Sequence, residues 1–373
     1  MRVRDIPENL LGPSADSSLP APLTASSVRR VAVHVAGLLL LSCYWPLASG
    51  MVAVCAMYDV RWSRQGVLWL ALGQLAVAVV VFFWLSWLVI ARTTLDRVPN
   101  RSRLLQRGAT VLAAAAVVYL SVPVFGAFVW SVGLTLFGCA MAWLAFEVAR
   151  SHGVPLGARP PATPVQRFHD WTMARSTFFV CLAGGASTSL LVLIVRWAAI
   201  DGIPVVRDGQ LSALGIGSVG NLALKVLWAV AFEDVVIVAA TTALLTALRR
   251  PAWEIYTLIC VLEVALHAYF GLPAIGMALH AAGRVWLYRR SRRLLPLMAG
   301  HAAFDLSGGA LQLLSKSALY RPMLALPAVV ALTWIGRRLE TAAARDMPEA
   351  APKGPAPEGD FTGPQDPTKA GIA

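Results

Sequence analysis

The chain contains ten long apolar segments, each near the ~20 residues that a helix needs to cross the hydrocarbon core of a bilayer. They lie at 31–57, 67–91, 108–125, 129–149, 176–199, 214–248, 253–270, 272–288, 294–314 and 319–336. Their Ala, Leu and Val residues lack the alternation of apolar and polar positions that barrel strands need. Because every backbone N–H and C=O inside a bilayer needs an internal partner, these segments must be helical. The sequence therefore predicts an all-α fold, a polytopic transmembrane helical bundle with about ten spans.

Basic residues between the segments predict the orientation of this bundle. Short cytoplasmic loops are enriched in Lys and Arg. With the N-terminus inside, the cytoplasmic loops hold most of the arginines. The outer loops keep only Arg61, Arg64, Arg207, Lys316 and Arg321. Ten spans with both termini cytoplasmic satisfy the rule. If 108–149 and 253–288 are not each divided in two, the count falls to nine or eight.

Composition excludes several classes of protein. Hydrophobic residues make up 57% of the chain and charged residues 14%, whereas a soluble domain carries about 25% charged residues. The net charge of +12 is explained by basic residues in the loops, which lie beside anionic lipid headgroups. The sequence has no stripe of basic residues interleaved with aromatics, so it does not predict nucleic-acid binding. The five cysteines lie in apolar segments without close pairs, so neither a disulfide framework nor a zinc motif is predicted. High Ala and Arg with four lysines indicates a bacterial protein of the plasma (inner) membrane.

Both ends of the chain differ from its centre. Residues 1–27 are rich in Pro, Ser and Asp, and residues 339–373 are rich in Pro and Gly, so neither can bury enough apolar surface to fold. We therefore expect a disordered leader at 1–27 and a disordered cytoplasmic tail at 339–373. Between them, 28–200 is expected to form N-terminal accessory transmembrane helices and 201–338 a C-terminal helical bundle.

Ionisable residues inside the apolar segments are the candidates for function, since each costs on the order of 3 kcal/mol or more at the bilayer centre. Five of them (Glu147, Arg196, Lys225, Glu254 and Arg284) lie near segment ends, where snorkelling of a long side chain explains them. Apart from His34, a lone imidazole in the first segment, the others lie in four of the last five segments. They are Glu233, Asp234, Glu263, His267, His280, His301 and Asp305.

Their spacing groups these residues on shared helix faces. His301 and Asp305 are spaced i, i+4, as are Glu263 and His267. A carboxylate beside an imidazole can activate water as a general base, and a second imidazole can donate to an oxyanion, which together permit peptide hydrolysis. The same residue types also form proton relays in transporters and interhelical hydrogen bonds. Spacing alone leaves all three roles open.

Three motifs in the C-terminal part resemble those of the CPBP (ABI) family, the CAAX prenyl endopeptidases and bacteriocin-processing membrane proteases. The family pattern is Glu-Glu-x-x-x-Arg on one helix, Phe-x-x-x-His on the next, and His-x-x-x-Asn or Asp two helices later. Glu233 and Asp234 stand at the first motif, His267 at the second, and His301 with Asp305 at the third. The resemblance covers about residues 221 to 315.

The resemblance implies a catalytic role for each of these residues. Glu233 resembles the carboxylate that polarises the attacking water, helped by His267. His301 and Asp305 resemble the pair that stabilises the tetrahedral oxyanion. Residues 201–338 are then a CPBP-like catalytic bundle, and a membrane-embedded or lipidated peptide is the implied substrate.

Three positions depart from the family pattern. Asp234 replaces the second Glu, Val238 stands in place of the Arg, and Glu263 stands in place of the Phe. Loss of the Arg removes a partner of the acidic pair, so either Glu263 belongs to a rearranged network or one carboxylate stays protonated by desolvation. Asp234 and Glu263 are expected to support the site. Because of these departures, a second function stays open, that of a catalytically silent relative that acts as a membrane binding or immunity protein. A third possible function is that of a proton-coupled transporter.

Metal dependence is open at this stage. Glu233, His267 and His301 could supply three zinc ligands, with His280 as a further one, but the His-Glu-x-x-His spacing of common zinc proteases is absent. The resemblance favours a glutamate-dependent mechanism without metal and without any other cofactor. Besides the substrate and the lipid bilayer, the sequence predicts no partner, and it does not predict an oligomeric state.

Overall fold

A computed structural model describes residues 25–95, 99–120, 127–157, 163–198, 202–206, 211, 214, 216–314 and 321–346. The fold of these residues is all-helical, and the β-structure within them is a single bridge between Val205 and Gly271. The principal helices are α1 (Ala25–Met57), α2 (Arg64–Leu95), α3 (Asn100–Leu120), α4 (Ala127–Ser151), α5 (Pro164–Trp197), α6 (219–247), α7 (Ala252–Leu266), α8 (Met277–Ser291), α9 (Leu294–Leu314) and α10 (Arg321–Asp346). The predicted helical bundle is confirmed for this part of the chain.

The five helices α1 to α5 are long and apolar enough to cross a membrane. The sequence predicts two spans in each of the stretches 108–149 and 253–288. The structure has two separate helices in each stretch, α3 and α4 in the first and α7 and α8 in the second. The count of about ten spans and the cytoplasmic placement of both termini stay predictions. Helix α1 begins at Ala25, inside the expected leader, and α10 ends at Asp346, inside the expected tail. The rest of the leader and tail, 1–24 and 347–373, lies outside the described residues.

Helix α6 changes its hydrogen-bond register in the middle of the bundle. It is α-helical over Val219–Ala229, a π-helix over Val230–Ala240, and α-helical again over Thr241–Ala247. The Thr241 hydroxyl donates to the Val236 carbonyl five residues earlier, at 3.0 Å. All eleven residues of the π segment are buried. π segments are rare and are often found at functional sites, and this one carries the first predicted motif.

Helices α7 and α8 are joined by a compact turn rather than by one continuous helix. Two short 3₁₀ segments, Ala268–Phe270 and Leu272–Gly276, meet at Gly271. Gly271 has a φ of 76°, and a Cβ there would lie 1.9 Å from the Pro204 carbonyl oxygen. The segment 202–206 runs along this turn, with Val206 N–H donating to Phe270 O and Leu272 N–H donating to Pro204 O. Gly271 therefore permits the close approach that fixes the chain just after His267.

Helix α5 packs against α8, α9 and α10. Glycines allow the close contacts, as is common between membrane helices. A Cβ at Gly184 of α5 would lie 2.5 Å from the His280 Cβ of α8, and a Cβ at Gly300 of α9 would lie 2.2 Å from the Ala174 carbonyl oxygen of α5. Although 28–200 was expected to form an accessory unit, its last helix therefore packs directly against the helices that carry His280 and His301.

We expect Gly300→Ala to lower the free energy of unfolding by about 1–3 kcal/mol, because the added methyl overpacks the α5 and α9 contact. Gly308, on the same helix, has open space around its Cα and provides a matched control. Gly308→Ala should be neutral or stabilising by up to about 1 kcal/mol, since Ala favours helix more than Gly does. Denaturant unfolding in detergent measures both, and equal stability of the two variants would show that the helices do not approach this closely.

Candidate active site

A fully buried arginine on α8, Arg284, lies at the centre of the candidate site. Its Nη1 donates to Asp234 Oδ1 at 2.8 Å, and its Nη2 lies 3.3 Å from Glu233 Oε2. Nη2 also donates to Glu263 Oε1, so one guanidinium contacts three carboxylates. Removal of Arg284 would leave three buried carboxylates without their shared cation.

The π segment of α6 turns Glu233 and Asp234 toward the same cluster although they are adjacent in sequence. In an α-helix adjacent side chains diverge by about 100°. The wider π turn reduces this angle, and both carboxylates contact Arg284. The chain thus supplies two acidic groups to one site from a single helical turn.

His301 of α9 lies between carboxylates on both sides of its ring. Its Nδ1 donates to Asp234 Oδ2 at 3.0 Å. Its Nε2 lies 3.4 Å from Asp305 Oδ2, one helical turn further along α9, and 3.9 Å from Glu233 Oε2. The imidazole is therefore held in one orientation, and its Nε2 is directed toward Asp305 and Glu233.

His267 is the first residue after α7. Its Nδ1 donates to the Glu263 carbonyl oxygen at 2.9 Å. A carbonyl only accepts hydrogen bonds, so the proton of the neutral ring is on Nδ1, and Nε2 keeps its lone pair. The ring stacks on Phe270 of the following turn, with planes 8° apart. His267 is thereby oriented as a base.

His280 of α8 lies between the other two histidines. Its ring centroid is 5.1 Å from that of His301 and 6.5 Å from that of His267. The Nε2 atom is 3.6 Å from Glu263 Oε1, and neither ring nitrogen has a hydrogen-bond partner among the described residues at normal geometry. His280 is 2% exposed, so its two nitrogens are buried polar atoms without partners.

The site lies along a cavity of about 790 Å³. Glu233, His267, His280, His301 and Asp305 line one part of it. Apolar side chains of α1, α5, α6 and α9 line most of the remainder, among them Trp45, Leu182, Phe232 and Phe304. The Asp305 side chain is 26% exposed, against 8% for Glu233 and 3% for His301. An apolar chain in the cavity would thus meet buried carboxylates and imidazoles along part of its wall.

The structure brings together all six residues that the sequence predicted for the site. Glu233, Asp234, Glu263, His301 and Asp305 connect through the contacts described above. His267 joins them, because one of its ring nitrogens lies within 4.8 Å of carboxylate oxygens of Glu233 and Glu263.

The interpretation of Arg284 as a snorkelling residue is wrong, because the side chain is fully buried and ion-paired. Glu147 is likewise 5% exposed and pairs with Arg92 at 2.8 Å. Arg284 pairs with Glu233 and Asp234 from a different helix than the one that carries Val238. The sequence holds one signal for it, since His280 and Arg284 are spaced i, i+4 and share a face of α8.

Two triads of the described residues have donor atoms all within 4.8 Å of one another. One is Glu233, Glu263 and His267, and the other is Cys181, His280 and His301. In the first triad, Arg284 already contacts the carboxylates of Glu233 and Glu263. A metal ion there would have to compete with the guanidinium for these two groups. The three residues that the sequence offered as zinc ligands in the metal-dependent alternative divide between the two triads, with His301 in one and Glu233 and His267 in the other.

No protein-family model, curated protein or solved structure matches this chain. Its function has to be inferred from the chemistry of the site.

Proposed function

We propose that the protein is an intramembrane endopeptidase of the CPBP type, which hydrolyses a peptide bond with a water molecule activated by Glu233 and His267. The proposal depends on one observation. Two bases, Glu233 and His267, and an imidazole held by hydrogen bonds, His301, lie together beside an apolar cavity. Glu233 comes from α6, His267 from the end of α7, and His301 from α9. This set of groups is what hydrolysis without a serine or cysteine nucleophile requires.

The first step is attack of water on the scissile carbonyl carbon. Glu233 takes one proton of the water, and the free Nε2 of His267 orients it. The oxygen of the water forms a new C–O bond, and the carbonyl becomes a tetrahedral oxyanion. General-base assistance of this kind contributes about 10²- to 10⁴-fold to the rate.

Stabilisation of the oxyanion is assigned to His301 with Asp305. Asp234 and Asp305 flank the two ring nitrogens, so their charges can balance an imidazolium that donates from Nε2. A donor fixed in advance at the developing charge needs no rearrangement during the reaction. The proton on Glu233 then passes to the leaving nitrogen, and the C–N bond breaks as the oxyanion collapses. The products are an amine and a carboxylic acid, which loses its proton to solvent.

Arg284 is assigned a positioning role in this mechanism. Its contacts hold Glu233, Asp234 and Glu263 in one place, although Val238 stands where the family pattern has Arg. The departures at Val238 and Glu263 can therefore be explained together, because the guanidinium comes from α8 and Glu263 is one of its partners. This exchange supports an intact site over a catalytically silent relative.

The proposed substrate is a membrane-embedded or lipidated peptide, and the proposed location is a bacterial plasma membrane. The cavity supports this substrate class, because its walls are mostly apolar and its volume of about 790 Å³ lies within the usual range for small-molecule pockets. A prenyl or acyl chain, or an apolar peptide segment, would lose water-exposed surface on entering it.

The proposal is tested by incubating the purified protein in detergent with a panel of lipidated and membrane-embedded peptides. Defined cleavage products are expected from the wild type, with or without chelator, and their absence from His267→Ala. His34→Ala is a matched control, since His34 lies on α1 beside His152 and outside the site. Loss of cleavage in the presence of chelator would show that the enzyme needs a metal ion, which contradicts the metal-free mechanism. Cleavage that persists in His267→Ala would show that His267 does not take part in the reaction.

The chain of three imidazoles from His267 through His280 to His301 favours one other candidate function, a proton-coupled transporter. Ring centroids 6.5 and 5.1 Å apart suit a proton relay. This alternative predicts pH-dependent uptake of a solute into proteoliposomes and no peptide cleavage.

A further inference from the structure

Two side chains at the site, Cys181 and His280, have no role in the proposed hydrolysis. Cys181, His280 and His301 each offer a donor atom, and the three atoms lie within 4.8 Å of one another. We propose that these residues form a binding site for a thiophilic divalent cation, Zn²⁺, that is distinct from the hydrolytic groups and shares only His301 with them.

The close approach of α5 and α8 creates this group. Gly184 lies against His280, and Cys181 precedes Gly184 by three residues, so the two share one face of α5. The Cys181 thiol is therefore directed to the side of α5 that packs on α8. All three residues are at most 2% exposed.

The environment of His280 is a second observation, independent of the distances between the donor atoms, that points to a bound ligand. Its ring nitrogens are buried and make no hydrogen bond at normal geometry, although Glu263 Oε1 lies 3.6 Å from Nε2 and the Cys181 backbone is also close to the ring. Buried polar groups are nearly always hydrogen-bonded, and an unpaired one costs about 1–3 kcal/mol. A metal ion bound to one of these nitrogens would satisfy it. Because His280 also lines the cavity, an ion could reach the site from there.

The donor set fits zinc. Zn²⁺ takes imidazole nitrogen at about 2.0–2.1 Å and thiolate sulfur at about 2.3 Å in a tetrahedron, which places two nitrogens and one sulfur about 3.3–3.6 Å apart. Donor atoms that lie up to 4.8 Å apart would have to move by roughly 1 Å to reach these distances, and side-chain rotation permits such movements. Three protein ligands leave a fourth position for water or for Asp305, whose Oδ2 lies 3.4 Å from His301 Nε2.

The surroundings also suit a cation. Asp234 accepts a hydrogen bond from His301 Nδ1, the outer-shell contact that orients a metal-binding imidazole toward the ion through Nε2. When ionised, Glu233, Asp234, Glu263 and Asp305 carry four negative charges, and Arg284 balances one of them. On binding, the Cys181 thiol proton leaves to solvent, and so does the Nε2 proton of His301 when that ring is an imidazolium. Zn²⁺ with the Cys181 thiolate carries a net charge of +1, which then takes the place of the imidazolium charge.

Binding of the ion would occupy His301 and so block the donor assigned to the oxyanion. The site therefore predicts inhibition of hydrolysis by micromolar to millimolar Zn²⁺. This consequence rests on the proposed function, whereas the site itself does not.

The test uses the full chain in detergent, stripped of metal and titrated with Co²⁺ as a spectroscopic probe for Zn²⁺. One equivalent of Co²⁺ is expected to bind the wild type with a thiolate-to-cobalt charge-transfer band, and Zn²⁺ should displace it. Cys181→Ala should lose the band and bind at least about 100-fold more weakly, as expected for loss of a direct ligand. Cys139→Ala, which removes a half-buried thiol on α4, is the matched control and should keep the band.

Absence of a charge-transfer band in the wild type would overturn the proposal, whatever the variants do. So would a band that survives in Cys181→Ala or disappears in Cys139→Ala. His280→Gln provides a second ligand variant if Cys181→Ala does not fold, and it should weaken Co²⁺ binding. Because the readout is spectroscopic, a failure of this site is distinguishable from a failure of the peptidase activity.

Discussion

Glu233→Gln is expected to lower kcat for peptide hydrolysis by about 10²- to 10⁴-fold, the contribution of a positioned general base. The amide keeps the shape of the side chain and can still accept a hydrogen bond from Arg284, whose Nη2 lies 3.3 Å from the Glu233 carboxylate. It cannot take a proton from water at neutral pH. Because the lost interaction belongs to the transition state, KM should change little. Steady-state kinetics on a cleaved peptide measures both constants.

Glu254→Gln is the matched control for this substitution. Glu254 lies at the start of α7 and pairs with Arg250, outside the site, so kcat should stay at the wild-type value. A Glu233→Gln variant with wild-type kcat would show that another group activates the water. Equal losses in both variants would indicate a general effect of removing a carboxylate.

Arg284→Met is expected to lower the free energy of unfolding by about 3–5 kcal/mol. The substitution keeps an apolar chain of similar length but leaves three buried carboxylates without their shared cation. The loss is large because Asp234 and Glu263 are fully buried and cannot be hydrated where they lie. Denaturant unfolding of the purified protein in detergent measures the change.

Arg290→Met on the same helix is the control for Arg284→Met. Arg290 lies over the Trp286 ring at 5.7 Å and pairs with no carboxylate among the described residues, so its loss should cost less than about 1 kcal/mol. Adding Glu263→Gln to Arg284→Met should recover part of the stability, because it removes one of the unpaired charges. Strictly additive effects of the two substitutions would contradict a shared ion-pair cluster.

Much of the fold could be predicted because bilayer constraints act on local sequence. Apolar length and the need for internal hydrogen bonds predict helices, and the described residues are helical where the apolar segments lie. The spacing of Glu263 with His267, and of His301 with Asp305, placed each pair on one face without knowledge of the tertiary structure. His267, His301 and Asp305 line the cavity, and Glu263 is buried beside them as a partner of Arg284.

The rest of the site depends on contacts between distant helices, which spacing does not reveal. Position near a segment end suggested that Arg284 reaches the interface, but packing of α8 against α6 and α5 buries it completely. The π register of α6 also could not be read from a uniformly apolar run. Cys181 gave no signal, because its nearness to His280 follows from the glycine contact between α5 and α8.

The most direct measurement of the central claim is peptide hydrolysis in H₂¹⁸O, with products identified by mass spectrometry. The proposed mechanism predicts cleavage of a lipidated or membrane-embedded peptide at a defined bond, with one ¹⁸O atom in the new carboxyl group. It also predicts that Glu233→Gln abolishes this product while the protein stays folded. Cleavage of no peptide in the panel by folded wild-type protein, or equal cleavage by wild type and Glu233→Gln, would contradict an intramembrane peptidase that works through Glu233.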